Sequence, residues 1–209
     1  MAELIAATHP DMLARATAAL ERGGTVVLPT ETVYGIAALP TQPGAVASIF
    51  DLKQRPPSMH LAVLVASIDQ VELVVDTVPP GARALMERFW PGPLTLVLDG
   101  ARPLVARLGA ADGTVGVRCP DHEIARAIAR RVGPIATTSA NLHGQPTPDT
   151  ATEIAEVLAG ADIVIDAGPC VGGVASTVVD VTGDAPSTLR PGPVSVERIA
   201  ETWAAALDS

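Results

Sequence analysis

The stretch Pro29-Thr30-Glu31-Thr32-Val33-Tyr34-Gly35 decides how the rest of the sequence is interpreted. It follows Val26-Val27-Leu28, a β-branched and apolar run that predicts a short buried strand. Pro29 ends that strand because proline has no N–H to donate to a neighbouring strand. Four hydrogen-bonding side chains then stand close together, and polar groups at a strand's end are how α/β proteins line ligand crevices. The stretch therefore predicts a binding site.

A second cluster of polar side chains, Lys53-Gln54-Arg55-Pro56, follows later in the chain. Of the 14 basic residues, Lys53 is the only lysine. A mobile point charge beside the planar, two-pronged side chain of Arg55 suits a phosphate chain. The alternative is that Lys53 only stabilises the C-terminal end of a helix. We favour the first interpretation and expect both residues to bind a ligand.

The composition indicates a globular chain with at most a local basic pocket. Of the 209 residues, 48% are hydrophobic and 18% are charged, which excludes a disordered chain. The net charge of −9 argues against a broad nucleic-acid-binding face. No stretch is apolar and long enough to cross a bilayer, and Met1 to Ala7 lacks the basic start of a signal peptide. The expectation is a soluble, cytoplasmic protein that does not associate with membranes.

Hydrophobic periodicity and turn residues predict an α/β fold with one mixed, twisted sheet flanked by helices, as a single domain over 1–209. Helices are predicted at 8–22, 43–53, 67–74, 80–89, 121–131, 150–159 and 195–207. Strands are predicted at 25–28, 34–38, 61–65, 94–98, 115–118, 135–138, 162–166, 176–180 and 187–190. The segment 100–113 is expected to be a surface excursion. The loops 142–148 and 168–173 are candidates for motion because of their glycine content.

Four segments share one pattern, a short apolar strand that adjoins polar groups. They are Pro29 to Gly35, Val117-Arg118, Ser139-Ala140-Asn141 and Ser176-Thr177. Together with Arg190 and the Lys53/Arg55 pair, they suit an anionic ligand and a small polar one. Each has a structural alternative, since Ser139 and Asn141 could cap a turn and the arginines could pair with surface acids. The number of such segments favours a site.

Other chemistries lack their sequence signatures. We find no G-x-x-x-x-G-K-[ST] phosphate loop, no G-x-G-x-x-G fingerprint and no G-x-S-x-G elbow. The four histidines and two cysteines have no metal spacing, so no metal site of the protein's own is predicted. The histidines are expected to be exposed, and Cys119 and Cys170 to be free buried thiols. Without a nucleophile, positioning and charge neutralisation are the expected sources of rate.

Seven motifs in a fixed order make the chain resemble the YrdC-like family, in particular L-threonylcarbamoyladenylate synthases of the short, single-domain kind. The motifs are Pro29 to Gly35, Lys53 to Pro56, Trp90-Pro91-Gly92-Pro93-Leu94-Thr95, Arg118-Cys119-Pro120, Thr138-Ser139-Ala140-Asn141, Ser176-Thr177-Val178 and Arg190-Pro191-Gly192. The resemblance runs from about residue 10 to about residue 200. It implies a YrdC-like fold around a large cavity.

The resemblance also implies a reaction. L-Threonine, bicarbonate (or CO₂) and ATP with Mg²⁺ would give threonylcarbamoyl-AMP and pyrophosphate, which makes the chain a nucleotidyltransferase. A partner tRNA threonylcarbamoyl transferase would then use the product to modify the adenosine next to the anticodon. Direct tRNA binding by this chain would be weak or absent.

Carried over by motif, the site has two parts. Thr32, Arg118, Ser139 and Ser176 would contact threonine, with Tyr34 as a wall of its pocket. Arg55, Ser139, Asn141 and Arg190 would contact ATP, with Lys53 beside the phosphates, and Lys53 and Arg55 would be catalytic. Many relatives differ at the positions of Met59, Leu64 and Asp149.

Two alternative functions remain open from the sequence. One is a YrdC-like paralogue that forms a different carbamoyl-adenylate, which threonine-dependent ATP consumption would distinguish. The other is an RNA-binding module, because a cavity with three cations could hold a nucleic-acid backbone. The net charge of −9 speaks against the second.

Overall fold

Apolar segments of the chain form the strands and helices of one α/β fold. The structure is a computed structural model, which describes residues 2–56, 59–170 and 173–207. The strands are β1 (Glu3–Ala6), β2 (Thr25–Leu28), β3 (Gly35–Ala38), β4 (Ala62–Leu64), β5 (Leu94–Asp99), β6 (Thr114–Arg118), β7 (Ile135–Ser139), β8 (Ile163–Asp166), β9 (Thr177–Asp180) and β10 (Ser187–Arg190). The helices are α1 (Met12–Glu21), α2 (Ala45–Lys53), α3 (Pro80–Phe89), α4 (Arg102–Leu108), α5 (Glu123–Val132), α6 (Ala151–Val157) and α7 (Val196–Leu207).

The strands pair into one sheet in the order β1-β8-β2-β3-β7-β4-β6-β5-β9-β10. The pairs β1/β8, β2/β8, β4/β6 and β5/β9 are parallel. The pairs β2/β3, β3/β7, β4/β7, β5/β6 and β9/β10 are antiparallel. The predicted mixed α/β sheet is therefore confirmed.

A row of small side chains across the middle of the sheet leaves space for a cavity. Thr137 of β7 is paired with Ala62 of β4, Ala62 with Gly116 of β6, and Gly116 with Val97 of β5. All four residues line the same cavity. A Cβ added at Gly116 would lie 3.3 Å from the Cγ2 of Thr95, so even an alanine at position 116 would be crowded against the Thr95 side chain.

Two buried apolar clusters hold the sheet and helices together. One cluster packs Ile49 and Phe50 of α2, and Leu85 and Met86 of α3, against the sheet. The other packs Leu20 of α1 and Ile128 of α5 against it. Burying such aliphatic side chains is favourable by about 1.5–3 kcal/mol each. No helix in the described ranges combines the length and apolar character needed to span a membrane.

The structure corrects several sequence-based element predictions. Strand β1 was not predicted, and the segment expected to be a surface excursion at 100–113 contains α4. Helix α4 forms because Leu104, Val105 and Leu108 are buried in the core. The segment predicted as a helix at 67–74 is a 3-10 helix over Ile68–Leu73.

Some predictions concern residues whose surroundings differ from expectation, and others fall outside the described ranges. Cys119 is buried as expected, whereas Cys170 is only half-buried. His9, His60 and His143 are exposed as expected, but His122 is half-buried because it lies at the start of α5 against the sheet. The predicted turn at 168–173 includes Val171 and Gly172, which lie outside the described residues, as does Pro57 in the predicted exit from α2.

Candidate functional site

A cavity of about 360 Å³ lies over the row of small side chains in the sheet. Six of the predicted site residues line it. They are Thr32, Arg55, Arg118, Ser139, Ser176 and Arg190. A second hollow of about 630 Å³ lies between α2 and α4 and touches Arg55 but none of the other five. The chemistry therefore belongs to the first cavity, although it is the smaller of the two.

The turn after β2 fixes the hydroxyl of Thr32. Thr30 Oγ1 accepts hydrogen bonds from the backbone N–H groups of Thr32 and Val33, each at 3.2 Å. The Thr30 hydroxyl donates to the carbonyl of Val33 at 2.6 Å. Because this uses its one proton, the 2.9 Å contact between the two threonine hydroxyls is donated by Thr32. Thr32 Oγ1 consequently keeps its lone pairs for other donors.

Arg118, at the end of β6, is buried and held on three sides. Its Nε donates to the carbonyl of Gly92 at 3.1 Å, and its Nη1 donates to Thr32 Oγ1 at 2.9 Å. Its Nη2 lies 2.7 Å from Glu31 Oε1. This contact is an ion pair between two largely buried side chains.

Arg190 and Ser176 form a second polar group of the cavity. Arg190 donates to the carbonyl of Ser176 from Nε at 3.1 Å and from Nη2 at 2.8 Å. The same Nη2 lies 3.1 Å from Ser176 Oγ, which is 2.8 Å from the hydroxyl of Thr95. Burial, and next the charge of Arg118, lowers the pKa of Arg190. The positive charge of Arg118 therefore acts on Arg190 within the same cavity.

Arg55, just beyond the end of α2, supplies the third cation. Its Nη1 donates to Thr138 Oγ1 at 3.1 Å, and its Nη2 donates to the carbonyl of His60 at 2.7 Å. Its Nε is buried without a partner. Burial lowers the pKa of Arg55. A guanidinium with a buried free N–H group can gain from binding an anion.

Lys53 does not line the cavity. It is 1% exposed, and its Nζ donates to the carbonyl of Ser139 at 2.6 Å, to the carbonyl of Asn141 at 2.5 Å and to Asn141 Oδ1 at 2.9 Å. An ammonium has three N–H groups, so none remains for a ligand. Burial, and next the charge of Arg55, lowers the pKa of Lys53 to about 8.

Asn141 and Tyr34 also lie behind the cavity wall. Asn141 Oδ1 accepts from Ser139 Oγ at 2.6 Å, and its Nδ2 donates to the carbonyls of Leu142 and Gln145. Tyr34 is fully buried, and its hydroxyl donates to the carbonyl of Gly168 at 2.7 Å. Burial raises the pKa of this phenol. The described cavity wall thus does not include Lys53, Asn141 or Tyr34. Their hydrogen bonds hold neighbouring segments of the chain in place.

The cavity is also lined by polar side chains to which the sequence assigned no ligand contact. They are Thr30, His60, Thr95, Thr137 and Thr138. Thr137 and Thr138 precede Ser139 on β7, and all three line the cavity, so strict alternation along a strand would not have identified them. The hydroxyl of Thr95 lies 2.8 Å from that of Ser176 because β5 pairs with β9, and this pairing has no local sequence signal.

The described part of the chain contains no group of three or more His, Cys, Asp and Glu residues placed to hold a metal ion. Within the same described residues, the cavity wall also includes no carboxylate. A divalent ion in this cavity would accordingly have to arrive with a ligand that supplies its oxygens. Of the three positions where the motif pattern departs from relatives, Leu64 lines the cavity, whereas Met59 and Asp149 are exposed.

Comparison with known proteins places the chain among proteins of one kind. The family model for Sua5, YciO and YrdC, described as "Telomere recombination", matches residues 18–192. A relative from Mycobacterium tuberculosis, provisionally named a threonylcarbamoyl-AMP synthase, is 43% identical over 206 residues, which are 96% of this chain and 95% of that protein. The threonylcarbamoyl-AMP synthase of Bacillus subtilis is 42% identical over 92% of this chain and 56% of its own length.

A solved structure shares the fold closely. The crystal structure of Pyrococcus abyssi Sua5 complexed with L-threonine matches with a TM-score of 0.89 and 36% identity, over 97% of this chain and 60% of that one. The present chain therefore spans less than two thirds of the length of the Bacillus and Pyrococcus proteins, and nearly all of the mycobacterial one.

Proposed function

The chain belongs to the Sua5/YciO/YrdC family, and on that premise we propose that it is a threonylcarbamoyl-AMP synthase. L-Threonine, bicarbonate and ATP would be converted to threonylcarbamoyl-AMP, pyrophosphate and water. The observation that carries the proposal is the cavity itself, where three arginines and the hydroxyls of Thr32, Ser139 and Ser176 meet. A carboxylate, an ammonium and a polyphosphate together require such a set of donors and acceptors.

The amino acid would bind at the Arg118 end of the cavity. Arg118 would receive the threonine carboxylate by a charge-assisted hydrogen bond. The threonine ammonium and hydroxyl need oxygen partners, which Thr32 Oγ1 and Ser176 Oγ can supply because both lie in this cavity. Arg118 and Thr32 are already joined at 2.9 Å, so the two partners are preorganised relative to each other.

ATP would bind at Arg55 and Arg190. These guanidiniums would neutralise the triphosphate, and Ser139, which lines the same cavity, would contact the reacting phosphate. Mg²⁺ would enter as part of the substrate, coordinated by phosphate oxygens and water, since the cavity wall has no carboxylate to hold it. Neutralising the leaving pyrophosphate is the contribution expected of these cations to the rate.

The reaction needs no covalent enzyme intermediate. The deprotonated threonine amine adds to CO₂ and forms a carbamate, or attacks bicarbonate and forms the same carbamate with cleavage of one C–O bond and loss of that oxygen as water. A carbamate oxygen then attacks the α-phosphorus of ATP, and the bond to the bridging oxygen of pyrophosphate breaks. In this proposal Arg55 is catalytic in the electrostatic sense, while Lys53, Asn141 and Tyr34 hold the 139–141 turn and its neighbours in place.

The product would pass to a separate tRNA threonylcarbamoyl transferase, which would modify the adenosine next to the anticodon. The mixed anhydride of a carbamate and a phosphate is reactive toward water, so a transfer reaction must consume it.

The test measures pyrophosphate release and adenylate product with ATP, Mg²⁺ and bicarbonate, with and without L-threonine. We expect threonine-dependent threonylcarbamoyl-AMP. The Arg118→Ala substitution should raise the KM for threonine by about tenfold or more with less effect on ATP, and Arg190→Ala should do the reverse.

The control substitution is Arg22→Ala, because Arg22 is exposed at the end of α1 and does not line the cavity. It should leave both KM values unchanged. L-Serine in place of L-threonine tests the substrate. Turnover of ATP that is indifferent to threonine, in a protein with native stability, would reject the synthase in favour of a paralogue with another substrate.

A further inference from the structure

The three arginines of the cavity differ in how their charges are balanced. Glu31 lies 2.7 Å from Arg118. No acidic residue within the described ranges comes within 4 Å of Arg55 or Arg190 in an ion pair, and their hydrogen-bond partners are the neutral groups of Thr138, His60 and Ser176. Among the described residues, Arg55 and Arg190 thus carry positive charges without an acidic partner, whereas Arg118 forms a pair with no net charge.

The position of Glu31 is built into the fold. It lies between Thr30 and Thr32, in the turn whose backbone the Thr30 hydroxyl ties together. Both carboxylate oxygens are buried from water, and Arg118 is the charged group that lies against one of them. Burying a carboxylate costs solvation energy that pairing with an arginine can leave partly uncompensated, so its position beside Arg118 needs a reason.

Among the described residues, Arg118 is the cation within 4 Å of Glu31. His122 also interacts electrostatically with Glu31, but burial lowers the pKa of the His122 imidazole and so disfavours its charged form. Arg118 is therefore the main positive partner of Glu31, and Glu31 reduces the positive potential at Arg118.

The two proposed substrates differ in net charge, and so do the arginines proposed to bind them. Arg118 is paired with Glu31, whereas Arg55 and Arg190 have no acidic partner among the described residues. Free threonine is a zwitterion with no net charge, whereas the triphosphate of ATP is a polyanion. A phosphate placed at Arg118 would also face the carboxylate of Glu31, and like charges repel. A single carboxylate with an ammonium attached suffers much less, because its ammonium is attracted to the same region.

We propose that Glu31 is a specificity-determining residue that reserves Arg118 for the amino acid and confines phosphate groups to Arg55 and Arg190. This inference rests on the proposed function, because it assigns Arg118 to one substrate and Arg55 with Arg190 to the other. It explains why an acidic residue lies beside the arginine that is expected to bind an anion. Without Glu31, pyrophosphate or ATP would also bind at Arg118.

The experiment measures threonine binding by calorimetry, with and without saturating inorganic pyrophosphate, for the wild-type chain and Glu31→Gln. In the wild type, pyrophosphate should change the Kd of threonine by less than about twofold. In Glu31→Gln, pyrophosphate should raise that Kd by about tenfold, because Arg118 then accepts phosphate. Glu123→Gln is the matched control, since Glu123 is an exposed carboxylate that pairs with Arg126 and Arg130 on α5.

Three results would overturn the inference. Competition between pyrophosphate and threonine in the wild type would show that Arg118 is open to phosphate despite Glu31. Absence of competition in folded Glu31→Gln would show that Glu31 does not keep phosphate away. Failure of the wild type to bind threonine would reject the proposed function itself, and this inference with it. Should Glu31→Gln not fold, Glu31→Asp, which withdraws the charge by one methylene, should show a smaller effect in the same direction.

Discussion

Each N–H group of the Lys53 ammonium points at an oxygen of the segment Ser139–Asn141. This segment ends β7 and presents the Ser139 side chain to the cavity. Lys53 therefore acts on the ligand through the turn that it holds. A charge buried in this way is stabilised by its three acceptors and destabilised by its loss of water, and the balance between the two fixes its pKa.

The pH dependence of stability tests that balance at the residue scale. The pKa of Lys53 falls from 10.5 to about 8 on burial. Between those values the unfolded chain binds more protons at this site than the folded chain, so stability rises with pH. We expect the free energy of unfolding of the wild type, minus that of Lys53→Met, to increase by up to about 1.4 kcal/mol per pH unit between pH 8 and pH 10.

Urea unfolding at several pH values measures this difference. The raised pKa of Tyr34 is common to both proteins and cancels in the subtraction. A difference that does not change with pH would mean that the three oxygen acceptors fully offset burial. In that case Lys53 would keep its ordinary pKa.

The inward direction of Lys53 could have been predicted from periodicity, whereas the phosphate role was inferred from its charge. Ala45, Ile49 and Lys53 are spaced four residues apart on α2, and all three are buried. The residues of the turn after β2 were predicted well because their hydrogen bonds are local, as the Thr30 bonds to Thr32 and Val33 show.

At the scale of elements, α3 and α7 meet where a glycine makes room for a tryptophan. Gly81 is in the first turn of α3, and the indole ring of Trp203 on α7 lies against it. A Cβ added at Gly81 would lie 2.5 Å from Cδ2 of Trp203. Near the other end of the contact, Arg198 lies 5.0 Å from the centre of the Phe89 ring.

Gly81→Ala should therefore destabilise the chain, although alanine favours helices. The helix propensity gain is at most about 1 kcal/mol. The overlap with Trp203 forces that ring or the helix to move, and such overpacking typically costs about 1–3 kcal/mol. We expect a net loss of about 1–2 kcal/mol in the free energy of unfolding, measured by urea titration.

Gly183→Ala is the matched control for this prediction. No atom lies within 4 Å of the position that a Cβ at Gly183 would occupy. Its stability should stay within about 0.5 kcal/mol of the wild type. Equal changes in the free energy of unfolding for the two substitutions would show that α3 and α7 can shift apart at little energetic cost.

The elements that sequence reasoning missed show two different limits. Helix α4 had local signals, since Pro103 is in its first turn and Gly109 ends it with a left-handed backbone. Those signals were outweighed by the glycine and alanine that surround it. Strand β1 had no such signal, because it pairs only with β8, and a four-residue strand is recognised through its partner.

At the scale of the whole molecule, the site is assembled by strand order. Strands β3 and β7 are neighbours, and Gly35 is paired with Ser139 although they are far apart in sequence. The motifs named most of the residues that line the cavity. Their distances depend on pairings such as this one, and no local pattern determines which distant strands pair.

The distribution of charge over the molecule also decides how it should interact with RNA. The net charge is −9, and the three clustered cations of the site, Arg55, Arg118 and Arg190, line a cavity in the sheet. A duplex phosphate backbone needs cations spread over an open face. Arg126 and Arg130 lie on α5, but Asp121 and Glu123 pair with them.

We therefore expect no appreciable binding of tRNA by this chain alone. Fluorescence anisotropy with labelled tRNA at 150 mM salt should give a Kd weaker than about 10⁻⁴ M, which is the weak limit for non-specific binding. Lowering the salt to 50 mM should change this little, because few phosphate contacts mean few released counterions. Micromolar binding with a steep salt dependence would contradict the prediction, and Arg131→Ala, at the exposed end of α5, would then show whether that helix is the surface responsible.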